Sequence, residues 1–248
     1  MKLAWFRFYE ELNDFLPARN RKISIPYSFI GNPSVKDAIE ALGIPHVEVD
    51  LILVNSQSVD FTYRLQNADY VSVYPAFENI DITPVIRLRN KPLRNVKFIT
   101  DVHLGKLTKY LRLCGFDTFS QPDCNDTDIT RISLNDKRSI LTRDKELLKN
   151  KKITHGYWVR SQAPSEQIKE VLIRFDLKNL INPFTRCMEC NGVLAPVTKE
   201  KISEIILPKT RQYFEDFKKC PDCHRIYWEG SHFQRMKIHI DKLILDLK

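Results

Sequence analysis

An α/β protein in three parts is what the sequence predicts: a small sheet with one helix, a parallel sheet layered with helices, and a metal-stapled ribbon closed by a helix. Three observations carry that expectation. Strand-like runs flank one well-capped helix within residues 1–82. Strands then alternate with helices over residues 95–181, the pattern of a parallel sheet. Two CxxC pairs follow, Cys187/Cys190 and Cys220/Cys223, with 29 residues between them.

The first part reads as strands over Lys2–Tyr9 and Arg21–Pro26, with a turn around Pro17–Asn20. A helix follows, because Ser34 can cap it, Val35, Ile39 and Leu42 recur at helical spacing, and Gly43 stops it. Glu48–Val54 and Tyr70–Tyr74 read as two more strands, the latter alternating apolar and polar residues. The order ββαββ is that of the ubiquitin-like β-grasp fold. The segments PSVKDAIEALGIPHVEVDLILVN and LQNADYVSVYPAFE further resemble the small sulfur carriers of molybdopterin and thiamine synthesis. Those carriers end in Gly-Gly, whereas Tyr74-Pro75-Ala76-Phe77-Glu78 stands here and the chain continues. The resemblance therefore implies the shape of a carrier without its chemistry.

Residues 83–94, bracketed by Pro84 and Pro92, read as a linker. The second part opens on a strand over Asn95–Thr100 with Asp101 at its end. The next helix should carry Leu104, Leu107, Leu111 and Cys114 on one side and Lys106, Lys109 and Arg112 on the other, and Gly115 should end it. Phe116–Phe119 is a strand, and a helix starts at Asn125 or Asp126 with Asp128 in its first turn. Arg138–Thr142 is a strand followed by Arg143 and Asp144, Ile153–Val159 is another, and Pro164 opens a helix with Ser165 as its cap.

Sites on such sheets form beyond the carboxyl ends of the strands. Asp101 and Asp144 stand at two such ends, and Asp126 or Asp128 can reach the same edge from a helix start. Carboxylates converging there call for a divalent cation, and oxygen donors suit Mg²⁺ or Mn²⁺. Phosphodiester hydrolysis is the chemistry that uses such clusters most. Taken one at a time, these residues are equally good helix caps or turn formers.

The 248 residues allow two or three domains, and 43% hydrophobic with 10% aromatic residues excludes wholesale disorder. No run approaches the ~18 apolar residues of a membrane helix. Glu10, Glu11 and Asp14 break up the first twenty residues where a secretory signal needs an apolar run, so a cytoplasmic protein is expected. Charge is uneven. Residues 1–82 hold seven Lys/Arg against eleven Asp/Glu, a net of −4, and the rest carries +12. A basic region fits a polyanion such as nucleic acid, and an acidic β-grasp domain offers a surface for a protein partner.

In a reducing compartment the paired cysteines read as a metal site and not as disulfides. Each CxxC makes a knuckle, and two knuckles complete a tetrahedron for a structural Zn²⁺ held by Cys187, Cys190, Cys220 and Cys223. Ribbon-like surroundings favour zinc over an iron–sulfur cluster. Tyr213, Phe214, Phe217, His224, Arg225, Tyr227, Trp228 and His232 mix aromatic and basic groups around the second knuckle. They can stack unpaired bases, or pack a small ribbon core, the expected use of at least two among Phe214, Phe217 and Trp228.

FITDVHLGKLTKYLRLCGFDT, NDTDIT and RSILTRDKELL together resemble the PIN-like nuclease domain named after the C-terminal RNase region of the Mut-seven exonucleases. Members resemble this chain also in a terminal zinc ribbon and a ubiquitin-like unit in front. The resemblance implies a metal-dependent ribonuclease acting on RNA. Asp101, Asp144 and either Asp126 or Asp128 would hold Mg²⁺ or Mn²⁺, with Lys106 and Arg143 meeting phosphate. Where the family often has Glu, this chain has that Asp pair. A non-catalytic RNA-binding or adaptor protein keeping the fold is the alternative. The expected boundaries are residues 1–82 for the β-grasp domain, 95–181 for the PIN-like domain, 182–233 for the ribbon and 234–248 for the closing helix.

Overall fold

A computed structural model describes residues 1–75 and 96–246. The expected linker over 83–94 lies outside the described residues. In chain order the first part holds β1 (Lys2–Phe8), β2 (Ile25–Phe29), α1 (Val35–Ala41), β3 (Val49–Val54), β4 (Gln57–Val59) and β5 (Tyr70–Pro75). The second holds β6 (Lys97–Thr100), α2 (Gly105–Leu113), β7 (Asp117–Phe119), α3 (Asp126–Asp136), β8 (Ser139–Thr142), α4 (Lys145–Leu148), β9 (Gly156–Trp158) and α5 (Pro164–Arg174). The last holds β10 (Ala195–Val197), α6 (Pro208–Tyr213), β11 (Phe217–Lys219), β12 (Ile226–Trp228) and α7 (Ser231–Asp246).

The N-terminal sheet is mixed, in the order β2-β1-β5-β3-β4, with β1 and β5 parallel at its centre and the other pairs antiparallel. Ala4, Phe6 and Phe8 alternate inward from β1 and meet Val35, Ala38 and Ile39 of α1. Ser34 caps α1 as expected, its hydroxyl accepting from the Asp37 N–H at 3.1 Å, and Gly43 leaves the helix at φ +100°. The second strand is shifted from Arg21–Pro26 to Ile25–Phe29. Lys22 turns at φ +60° and its N–H donates to Asn13 Oδ1, so residues 21–24 are spent on a turn. Pro26 is tolerated because β2 is an edge strand. An additional strand, β4, returns from β3 through Asn55 and Ser56, both at positive φ, a two-residue hairpin turn.

The chain divides into two compact units, residues 1–95 with 133–158 and residues 96–132 with 159–248. The segment β8–α4–β9 thus belongs with the N-terminal sheet. His46 Nε2 lies 2.9 Å from the Ile153 carbonyl, and the Trp158 N–H donates to Glu48 Oε1 at 2.6 Å. The second sheet has the order β7-β6-β8-β9, with β6/β7 and β8/β9 parallel.

In the other unit α2 packs against α5, burying Leu107 and Leu111 with Ile168, Val171 and Leu172. Gly115 ends α2 at φ +94°, and a Cβ there would collide with the Asn182 carbonyl, so the close passage of residues 182–185 requires glycine. Pro164 starts α5 with Ala163 at its cap position, and no side chain caps it. Ser165 is therefore inside the helix, not its cap: proline's fixed φ starts the turn without one. The ribbon is an antiparallel sheet, β10-β11-β12, over a small core of Ile202, Ile206 and Phe217. α7 begins three residues before the expected 234, and its last residue, Asp246, pairs with Lys169 of α5 at 2.9 Å.

Candidate functional site

Asp101 follows β6 directly and is 7% exposed. Its Oδ1 accepts the His103 N–H at 2.9 Å, capping the turn Val102–Leu104 that leads into α2. Thr108 ties the two elements together, its hydroxyl 2.7 Å from that of Thr100 and donating to the Leu104 carbonyl. The carboxylate thus sits on a strand end that the next helix holds in place.

Asp144 repeats the arrangement after β8. It is exposed, its N–H donates to Thr142 Oγ1, and its Oδ1 accepts the Glu146 N–H at 2.8 Å as the cap of α4. Lys106 is exposed in the first turn of α2, and Arg143 is half-buried beside Asp144. The cap of α3 is Asn125, whose Oδ1 accepts the Asp128 N–H at 3.0 Å. Of the two expected starts, Asn125 or Asp126, the helix begins at Asp126, which stands exposed at its first position. Asp128 is half-exposed and pairs with Arg131 at 3.0 Å. Residues two apart on a helix point away from each other, so Asp126 and Asp128 do not serve one point together.

The cysteines are assembled. The sulfurs of Cys187, Cys190, Cys220 and Cys223 all lie within 4.8 Å of one another. Cys187 and Cys220 are buried and the other two exposed. Both knuckles are closed by backbone: Cys187 N–H donates to the Gly192 carbonyl and Asn191 N–H to the Cys187 carbonyl, while Cys220 and His224 make the equivalent bonds in the second. A Cβ on Gly192 would strike the Asp222 carboxylate and come within 2.8 Å of Cys220 Sγ, which makes glycine obligatory there. Sulfur separations of 3.3 and 3.5 Å compare with about 3.8 Å in a tetrahedral Zn–S₄ centre. Cys187, in spite of its burial, is held down to about 6 by the Tyr227 hydroxyl and the N–H groups of Glu189 and Cys190. Cys190, partly desolvated and crowded by the other sulfurs, goes up to about 12. Four thiols this close ionise together only around a cation, and the donor set fits zinc.

Arg112 corrects the expected basic stripe. It is 4% exposed, not on the surface with Lys106 and Lys109. Its Nε donates to the Thr118 carbonyl, and Nη1 to the carbonyls of Met188 and Glu189 in the first knuckle. Burial lowers its pKa, and Cys187 and Cys190 act in the opposite sense. Asn191 completes the seam: its Oδ1 accepts the Thr118 N–H and its Nδ2 donates to Asp117. Helical spacing put Arg112 on the polar face, and the carbonyls of Thr118 and of the knuckle, whose positions the sequence does not reveal, draw it inward.

Between the ribbon and α7 lies a cavity of about 790 Å³, with Phe184, Arg186, Arg225, Tyr227, Trp228 and Phe233 among its walls. Phe217 and Phe214 pack the ribbon core as expected for two of the three aromatics, whereas Trp228 stays 38% exposed on the cavity.

The chain thus joins a parallel α/β sheet to a ribbon that carries a four-cysteine cluster. The family model described as "Mut7-C RNAse domain" matches residues 96–240, more than half the chain, and that described as "Mut7-C ubiquitin" matches residues 1–81. The chain belongs to the Mut7-C RNAse domain family. No curated protein and no solved structure matches it. Among the described residues no helix is long and apolar enough to cross a membrane.

Proposed function

We propose that the protein is a ribonuclease that hydrolyses RNA phosphodiester bonds with the help of Mg²⁺ or Mn²⁺. The observation that carries this reading is the placement of Asp101 one residue beyond the end of β6 and of Asp144 two residues beyond the end of β8, within a chain of the Mut7-C RNAse family. Asp101, Asp144 and one of Asp126 or Asp128 would hold the cation; their carboxylate oxygens are the hard donors such ions take. A divalent cation bound there supplies activation of water and neutralisation of charge at the leaving oxygen. Asp101 and Asp144 each spend Oδ1 on a backbone N–H, which fixes the orientation of the carboxylate before any cation arrives. Lys106 and Arg143 are suited to meeting the phosphate. The cavity beside Trp228 suits an unpaired base, for which stacking on an aromatic ring is worth about 1–3 kcal/mol. Zinc, held by the four cysteines, is structural, because no ligand position is left open.

The reading also takes residues 1–82, 95–181, 182–233 and 234–248 as the functional divisions, and a cytoplasmic setting, where thiols stay reduced. Asp128 engaged with Arg131 favours the second reading, an RNA-binding protein or adaptor with a weakened acidic site. The test is cleavage of single-stranded and structured RNA and DNA by purified protein, in EDTA and after Mn²⁺ is added back. Metal-restored RNA cleavage supports the nuclease; RNA binding without cleavage at any metal concentration supports the adaptor.

A further inference from the structure

We infer that the N-terminal β-grasp region is a positioning element of the acidic site, with Phe15 and Asp14 holding the strand end that carries Asp144. The inference rests on the reading of Asp144 as a metal ligand. α4 is a single turn, and an isolated turn does not hold its own shape in water. Its first residue, Lys145, follows Asp144 directly, and its side chain leaves the second sheet for the turn Glu10–Phe15 of the N-terminal one. There Lys145 Nζ donates to the Asp14 carbonyl at 3.2 Å. It also lies 5.0 Å from the Phe15 ring centroid and 3.9 Å from that of Trp158, a cation between two aromatic faces.

Trp158 is the second strut. Its ring stands 5.0 Å from that of Phe15, which is 8% exposed, and its Nε1 donates to the Arg143 carbonyl at 3.2 Å. Its backbone N–H donates to Glu48 Oε1, and Glu48 is wholly buried beside β3. Both residues flanking Asp144 are therefore anchored to residues of the N-terminal region, Arg143 through Trp158 and Lys145 through Asp14 and Phe15. A displacement of a reacting group by about 1 Å costs on the order of a hundredfold in rate. Packing alone would use such contacts for stability. Packing that brackets one carboxylate from both sides also fixes where that carboxylate stands.

The test uses the full chain with Phe15→Leu, which keeps apolar volume and removes the ring, and with Lys145→Met as an independent variant should the first not fold. Two quantities are read: hydrogen exchange of the amides from Lys145 to Leu148, and the Mn²⁺ concentration giving half-maximal RNA cleavage. The expected result is exchange faster by on the order of tenfold or more over that turn. The Mn²⁺ midpoint should rise by on the order of fivefold or more, with cleavage largely restored at saturating Mn²⁺. Folded variants with unchanged exchange and an unchanged Mn²⁺ midpoint overturn the inference, and so does faster exchange with the midpoint unmoved. Wild-type protein and Asp144→Asn run alongside: cleavage by both alike refutes the metal-ligand reading itself, a different outcome from failure of the two positioning variants.

Discussion

The cysteine cluster and the aspartates proposed as ligands of a divalent cation are built in opposite ways. The four sulfurs crowd into one place, two of them buried, around knuckles each closed by its own pair of backbone bonds. Asp101 and Asp144, by contrast, each cap the element that follows them, Asp126 stands exposed and Asp128 holds Arg131. Asp101, Asp144 and Asp128 each have a structural occupation that needs no cation, while the cysteines have hardly any other. On the proposed reading, zinc would belong to the folding of this chain and Mg²⁺ or Mn²⁺ to its turnover.

The largest effect expected from this contrast is on the ribbon. Structural zinc contributes on the order of 10 kcal/mol to small domains of this kind. Cys220→Ser should lower zinc from one ion per chain to none and unfold β10–β12, while Cys114→Ser, whose buried thiol is pushed up to about 12, should leave zinc content unchanged. Metal analysis with limited proteolysis reads both. Arg112→Met comes next. It strips three carbonyls of a buried donor, and a loss of about 3 kcal/mol in thermal or denaturant unfolding is expected.

Asp126→Asn and Asp128→Asn sharpen the acidic side of the comparison. Because the two point apart on α3, one substitution alone should lower cleavage, by on the order of tenfold to a hundredfold, and the other should leave it unchanged. Equal, small effects would remove this helix from the site. The smallest effect is expected at Ser34→Ala, about 1 kcal/mol from the lost cap of α1. The Ser34 hydroxyl also holds Asp37 below its ordinary carboxylate value. A depressed folded-state value means that this contribution is present above the ordinary carboxylate range and fades as pH falls below it. Ser34→Ala should therefore flatten the acid limb of the stability curve.

What could be read from the sequence follows the range of the interactions. Ser34, Val35, Ile39 and Gly43 specify α1 within ten residues, and the CxxC pairs announce their chemistry by spacing alone. β4 was hidden because its turn is Asn55-Ser56, without the glycine that marks such hairpins. Ser165 looked like a cap because proline's role as a helix starter is silent about the residue before it. Arg112 and Lys145 are the instructive cases. Both look like ordinary surface cations, and each is drawn to at least one carbonyl supplied by a segment more than seventy residues away. Asp101 and Asp144 were legible as strand ends, and their capping bonds are local; which other residues steady them depends on contacts that only the fold brings about.

If Asp101 and Asp144 carry catalysis as proposed, the fold should stand without their charge while cleavage should not. The most direct measurement is the rate of RNA cleavage at saturating Mn²⁺ by Asp101→Asn and Asp144→Asn, taken with their melting curves. Asn caps a helix as well as Asp does, so melting should stay near wild type. Cleavage should fall by on the order of a hundredfold or more. Two variants that melt like wild type and cleave at its rate would contradict the account and leave the RNA-binding reading in its place.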